Sequence, residues 1–323
     1  MSDYKAIHGV KIRDYTTDPD NLIVGQVWFD KTNSVLQFQA AGAGAWATGG
    51  ALNTGGIFGS QNGAGTQTAG LVASRLQEAG PSPGQKDNTE AYNGSSWTEL
   101  NDVNSARNAA AMGGTQTSAL LGGGHGGITA NTESWNGTNW TEVNNLNTAR
   151  GYFTGSIEST SGGIAYGGIT PAGSTGVSIT ELWNGTNWTE VNDLNTARRS
   201  NSGVGTSSNG FAMGGYTTTT VSVCETWNGT NWTEVADQST AGGGAAFGVY
   251  NSAVKASENN TELWNGTAWS EGANSSSSAS NRSGVGTSSA SGLKTGGEPP
   301  NVGITTTEEW TNPVLATKTV DID

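Results

Sequence analysis

Apolar and polar residues alternate in short bursts along most of this chain, and no stretch sustains an apolar spacing of about 3.6 residues. A block of the form Glu-x-Trp-Asn-Gly-x-x-Trp-Thr-Glu returns instead. Asn-Gly-Thr-Asn-Trp-Thr-Glu-Val stands at Asn136–Val143, Asn184–Val191 and Asn228–Val235, with looser copies at Asn93–Leu100 and Asn265–Gly272. Aromatic flanks favour strands, and Asn-Gly accepts the positive φ of a tight turn, so each block predicts a hairpin. Just ahead, Thr180–Trp183 and its equivalents alternate between two sheet faces. Further upstream come short segments closing on a glycine doublet: Leu120–Gly123, Ile164–Gly168, Phe211–Gly215 and Gly292–Gly297. Their glycines suit close backbone approach at a crowded axis. The expected fold class is all-β.

The second tryptophans of the blocks, Trp97, Trp140, Trp188, Trp232 and Trp269, are 43, 48, 44 and 37 residues apart. That period suits a propeller blade of about 40–50 residues. The strand carrying Glu-x-aromatic occurs six times, at Glu90, Glu133, Glu181, Glu225, Glu262 and Glu308. After Trp310 the matching Trp strand is missing, whereas a lone Trp46 strand, Ala45–Thr48, stands near the start. The expectation is a six-bladed β-propeller whose last blade is completed by this N-terminal strand. Trp46 and the five later tryptophans then form its repeating core. Two copies depart from the pattern. Ser74-Arg75 replaces the first glycine doublet, and the short fifth spacing, with Gly242 where arginine is expected, predicts a trimmed blade.

The pattern resembles the kelch repeat. Gly167-Gly168, Trp183-Asn184 and Trp188 occupy its glycine-doublet, turn and tryptophan places, and Asn195-Thr196-Ala197-Arg198 matches the basic start of the next unit. The resemblance runs from about Trp46 to Thr311 and implies a kelch-like propeller.

Residues 1–40 stand outside the repeat. Val24–Phe29 and Val35–Phe38, joined by Asp30–Asn33, read as a hairpin, and Ala6–Asn21 reads as extended with Pro19 in a turn. The segment resembles N-terminal leaders of bacteriophage virion proteins. Together with the Leu-Asn-Thr units and Gly63–Ala69, it is similar to proteins of marine, cyanophage-like tailed phages. The expected division is therefore a virion-attachment leader, 1–40, and a propeller, 41–323. The resemblance implies a virion location, partners among other virion proteins through the leader, and a host-surface glycan or protein as ligand. For a fibre tip it also implies a homo-oligomer, a trimer by analogy. The plain alternative is a strand pair that caps the propeller.

Composition narrows this reading. Fifty glycines are a composition that suits disorder, but 12 tryptophans at regular positions argue for a packed core. A net charge of −13 disfavours nucleic acid or an anionic membrane as partner. Cys224 is the sole cysteine, which excludes an intrachain disulfide, and it is expected buried in a strand. There is no apolar run of membrane-spanning length, and Met1–Ile12 lacks the apolar centre of a signal peptide.

Candidate chemistry is sparse, and neither a catalytic set, a metal site nor a cofactor is expected. Copper oxidases with kelch units need several imidazoles, whereas this chain has His8 in the leader and His125 in a glycine-rich loop. Arg107, Arg150, Arg198 and Arg282 are expected at one repeat position, as fasteners pairing with glutamate or backbone carbonyls. The six glutamates are expected to form the matching ladder. Variation concentrates in Leu76–Asn88, Gly124–Asn131, Ile169–Ser178, Tyr216–Val223, Asn251–Asn260 and Glu298–Thr305, which are expected to share one face. Lys86, Asp87, His125, Tyr216 and Tyr250 are the side chains there suited to a sugar or a protein ligand. The leading expectation is a non-enzymatic virion protein of tail-fibre or decoration type. An intracellular kelch scaffold is the alternative, with a propeller hydrolase or oxidase behind it.

Overall fold

The computed structural model describes residues 12–17, 19, 26–40, 44–59, 63–78, 83–298, 304–312 and 316–320, and none of these is helical. The extended segment expected over Ala6–Asn21 lies mostly outside the described residues, as do Val24 and Gly25. The chain divides into two units, Met1–Gly44 with Asn312–Asp323, and Ala45–Thr311.

In the first unit, β1 (Arg13–Tyr15) pairs parallel to β2 (Val27–Asp30), which forms the expected hairpin with β3 (Val35–Ala40). Asp30 caps the turn by accepting from the backbone N–H groups of Thr32 and Asn33 and from the Asn33 amide. These bonds hold its carboxyl below the usual range, the Asn33 amide contributing most.

The second unit opens with β4 (Ala45–Thr48) and continues through five sheets, each made of four consecutive strands. They are β5 (Gly63–Thr66), β6 (Ala69–Gln77), β7 (Gly84–Tyr92) and β8 (Trp97–Glu99); β9 (Ala111–Thr115), β10 (Ser118–Gly124), β11 (Thr129–Trp135) and β12 (Trp140–Val143); and β13 (Thr154–Ser159), β14 (Gly162–Tyr166), β15 (Thr180–Trp183) and β16 (Trp188–Val191). The fourth and fifth are β17 (Ser202–Gly205), β18 (Gly210–Tyr216), β19 (Thr220–Trp227) and β20 (Trp232–Val235), then β21 (Ala245–Val249), β22 (Ser252–Ser257), β23 (Asn260–Trp264) and β24 (Trp269–Glu271). A sixth sheet contains β25 (Ser283–Ser288), β26 (Ser291–Thr295) and β27 (Thr307–Thr311), and its fourth strand is β4, with Trp46 opposite Trp310. All six are antiparallel, a propeller-like arrangement. Each first strand lies against the first strand of the next sheet, and β25 lies against β5.

The last strand, β28 (Ala316–Thr319), returns to pair with β3. β28 therefore groups with the leader sheet, whereas the division expected from the sequence gave everything from 41 onward to the propeller. The correction has a simple cause: β3 has an edge that only a non-consecutive strand can fill, and four residues carry no tryptophan that would announce the pairing.

The repeated tryptophans hold the sheets in two ways. Across the outer hairpin of each sheet, two aromatic rings face each other with centroids 4.9–5.5 Å apart (Tyr92 with Trp97 in the first). The second tryptophan also reaches the preceding sheet. The Nε1 atoms of Trp97, Trp140, Trp188, Trp232 and Trp46 donate to the Oγ1 atoms of Thr307, Thr89, Thr132, Thr180 and Thr261. Cys224, fully buried, stands where that threonine belongs in the fourth sheet. Trp269 donates instead to the Ala236 carbonyl at 3.0 Å.

Candidate functional site

The six glutamates sit next to that threonine on each third strand, and each carboxylate meets a buried cation. Arg107–Glu133 (2.8 Å), Arg150–Glu181 (3.1 Å) and Arg198–Glu225 (2.9 Å) use the repeat arginine. The other three sheets reach the same place differently. Gly56 holds the arginine position in the first sheet, and Arg75, from β6, lies 2.7 Å from Glu90. In the fifth, Gly242 holds it, and Lys255 on β22 lies 3.7 Å from Glu262.

The sixth corrects an expectation. The bridge Ser280–Glu298 matches Asn108–His125, Gly151–Ile169 and Arg199–Tyr216, which puts Ala279 at the arginine position. Arg282 enters three residues later to reach Glu308 at 2.7 Å, and Lys294 joins at 3.4 Å. Arg282 is thus not a repeat equivalent of the other three, although it does the same work.

The loop that links one sheet to the next is tied to the same carboxylates. Backbone N–H groups of Asn53 and Thr54 donate to Glu90, those of Asn147 and Thr148 to Glu181, and those of Asn195 and Thr196 to Glu225. Burial lowers the pKa of all five arginines, against the opposing pull of the facing glutamate. The same burial brings Lys255 and Lys294 down to about 8. Each of these carboxylates is paired with a buried cation and lies out of solvent, as suits a structural role.

The open chemistry lies at the ends of the first strands. Where those strands begin, two adjoining cavities of 310 and 350 Å³ share Ser200, Thr220, Gly242, Gly243 and Asn281. Tyr152, Arg199 and Tyr216 line one, and Asn201 and Glu258 line the other. The Arg199 guanidinium lies over the Tyr216 ring at 4.8 Å, and His125 packs on Tyr152 at 5.1 Å. Burial raises the Tyr152 hydroxyl pKa; Arg199 opposes this and Glu298 adds to it. At the other ends of the strands a 160 Å³ cavity is lined by Glu158, Thr206 and Val249. There Glu158 accepts from the Ser207 N–H and hydroxyl.

Of the side chains singled out in the sequence, Tyr216 lines this strand-end basin, and His125 stands behind its wall, packed on Tyr152. Lys86 and Asp87 do not line it; they lie within β7, half-buried, so the stretch Leu76–Asn88 is largely strand. Tyr250 is at the wrong end. It occupies the tight turn between β21 and β22, beside Val249, and its carbonyl accepts from Trp264 Nε1. Asn251–Asn260 is accordingly not a variable loop but mostly β22, because Gly242–Gly244 precede the first strand rather than closing the second. The loop expected over Glu298–Thr305 has 299–303 outside the described residues. Sequence reasoning missed Tyr152, Arg199 and Asn201. The available signal was Arg198-Arg199, where one arginine is surplus to the repeat, and Tyr152, where the equivalent residues are Ala109, Ser200 and Asn281.

Among the described residues no group of three or more His, Cys, Asp or Glu could hold a metal ion, and no helix is long and apolar enough to cross a membrane. No family model matches the chain, and no curated protein matches it. Among solved structures it is similar to one titled "Structure of YjhT", with a TM-score of 0.66 and 12% identity over 84% of this chain and 99% of that one. At that identity the likeness is one of fold alone.

Proposed function

We propose that this chain is a non-enzymatic structural protein of a tailed-bacteriophage virion, of tail-fibre or decoration type. In this reading its six sheets make a six-bladed kelch-like propeller closed by β4, and the leader attaches it to other virion proteins. The observation that carries the reading is the separate leader unit. Met1–Gly44 with Asn312–Asp323 is a unit of its own, with its own four-stranded sheet, distinct from the repeat unit Ala45–Thr311. Such a division suits an attachment module that anchors a presented one. The repeated ionisable residues support a structural role for the propeller, since each glutamate is held by a buried cation. The strand-end basin is the part of the propeller suited to a host-surface ligand.

Purified phage particles test this. Mass spectrometry should find the chain in intact virions, and antibody-labelled electron microscopy should place it at one fixed site. Absence from washed particles, with the chain present in the infected-cell lysate, would overturn the proposal.

A further inference from the structure

We infer that the basin bounded by Tyr152, Arg199, Asn201 and Tyr216 binds a neutral pyranose ring; this deepens, and rests on, the host-surface reading above.

Three observations converge. The first is the backbone at Tyr152, whose φ is 54°. A bulky residue in the left-handed region is strained. Its repeat equivalents with the same backbone, at φ 50°, 51° and 53°, are the smaller Ala109, Ser200 and Asn281. A tyrosine at this place puts an aromatic ring into the cavity wall rather than filling a core. Tyr216 supplies a second ring in the same wall, backed by the Arg199 guanidinium. Aromatic faces at a cavity wall are what the apolar C–H face of a pyranose packs against.

The second is Asn201. It is 3% exposed, yet neither its Oδ1 nor its Nδ2 has a hydrogen-bond partner among the described residues, and Arg199 Nε has none either. Buried amides are ordinarily satisfied on both atoms. A vicinal pair of sugar hydroxyls, each able to donate and accept, meets an unpartnered acceptor and donor together.

The third is charge. Arg199 and Glu298 act on Tyr152 with opposite sign, and the Asn281 amide donates to Glu298 at 3.0 Å. Arg282, the other cation of the basin, is paired with Glu308. Arg199 makes no ion pair among the described residues, but Glu258 lines the adjoining cavity, so with Arg282 paired the lining carries no net positive charge, which favours a neutral ring over an acidic one. The cavities, at 310 and 350 Å³, fall at the small end of ligand pockets.

Saturation-transfer NMR and calorimetry on the full chain would use the methyl pyranosides of glucose, galactose, mannose and N-acetylglucosamine, with glucuronate as the acidic probe. At least one neutral pyranoside should bind with a Kd of about 1–10 mM. Tyr152→Asn, compatible with the left-handed backbone, and Tyr216→Leu should each weaken it about tenfold or more. Asn201→Ala should weaken binding while raising the denaturation midpoint, since it removes an unsatisfied buried amide. Tyr250→Ala, at the opposite strand ends, should leave affinity unchanged.

Absence of binding by all four neutral sugars at about 50 mM would overturn the inference. So would binding of glucuronate alone, or affinity indifferent to the basin substitutions in variants that fold. The two proposals fail separately. A chain found on virions that binds no pyranoside loses the sugar site and keeps the attachment reading. Pyranoside affinity in a chain missing from virions keeps the site and sinks the reading.

Discussion

Moving one guanidinium between two strands is a direct test of how the sheets are fastened. In the first sheet Arg75 fills the place that Arg107, Arg150 and Arg198 fill from the inter-sheet loop, while Gly56 holds the loop position. Asn53-Thr54-Gly55-Gly56 aligns with Asn147-Thr148-Ala149-Arg150, and both arginines lie over a phenylalanine, Arg75 above Phe58 at 5.9 Å and Arg150 above Phe153 at 5.0 Å. Arg75→Gly would leave the fully buried Glu90 carboxylate without its cation, a loss of about 3–5 kcal/mol, with about 0.5–1 kcal/mol more for a glycine within a strand. Gly56→Arg alone should also destabilise. Its Cβ would stand 2.5 Å from Arg75 Cδ, and two guanidiniums would compete for one carboxylate. Together the changes remove the clash and restore the pair. Gly56 is not in the left-handed region, so arginine fits its backbone. The double variant should recover to within about 1–2 kcal/mol of wild type, a coupling of at least about 2 kcal/mol. Urea unfolding followed by tryptophan fluorescence, with m-values checked for constancy, reads the result. A double variant no more stable than Arg75→Gly would refute the claim that the two arginines are interchangeable.

Cys224→Thr should return a hydroxyl to the Trp269 indole and stabilise the fourth and fifth sheets by about 1 kcal/mol; an unchanged urea midpoint, with the indole N–H resonance unmoved, would count against it. Gly284→Ala should cost about 1–3 kcal/mol, because its Cβ would lie 2.3 Å from the Ala246 carbonyl where β21 and β25 meet; unaltered thermal stability would show that these strands can part freely. Lys255 and Lys294 have folded pKa values of about 8 against 10.5 when exposed, so between those pH values the unfolded chain holds more protons and their contribution to stability rises with pH. Urea midpoints should therefore climb from pH 8 to 9.5 in wild type and climb less in Lys255→Met/Lys294→Met, and equal slopes would contradict the assignment.

The sheets were legible because their strands are marked by tryptophans, which have one face to bury and one N–H to satisfy. Trp46, isolated near the start, pointed to the pairing with β27 for that reason. The fasteners were legible only where position and chemistry coincide. A carboxylate in a low-dielectric site requires a cation nearby in space, not at a given residue number. Arg75 and Lys255 therefore escaped, although Glu90 and Glu262 demanded them, and Arg282 was foreseen as a fastener but assigned the wrong repeat position. Tyr250 was misplaced because β22 closes on Lys255-Ala256-Ser257 and not on a glycine doublet, so nothing in the sequence marks where the second strand of the fifth sheet lies. The basin residues were hidden for the opposite reason. Tyr152, Arg199 and Asn201 each occupy a place where neighbouring repeats carry something else, and a reading built on recurrence passes over departures from it.

The exchange of strands between the ends of the chain has a consequence for its birth on the ribosome. β3 and β4 emerge before the five intervening sheets, but their hydrogen-bonding partners β28 and β27 emerge only after them. The five intervening sheets can each form from a contiguous stretch as it appears, while the leader sheet and the sixth sheet wait with open edges until β27 and β28 emerge. Such long-range pairings form slowly, and exposed edges invite pairing with other chains meanwhile. Termination between β24 and β27 would therefore leave five complete sheets with two unfinished edges, giving an insoluble fragment rather than a shorter working protein.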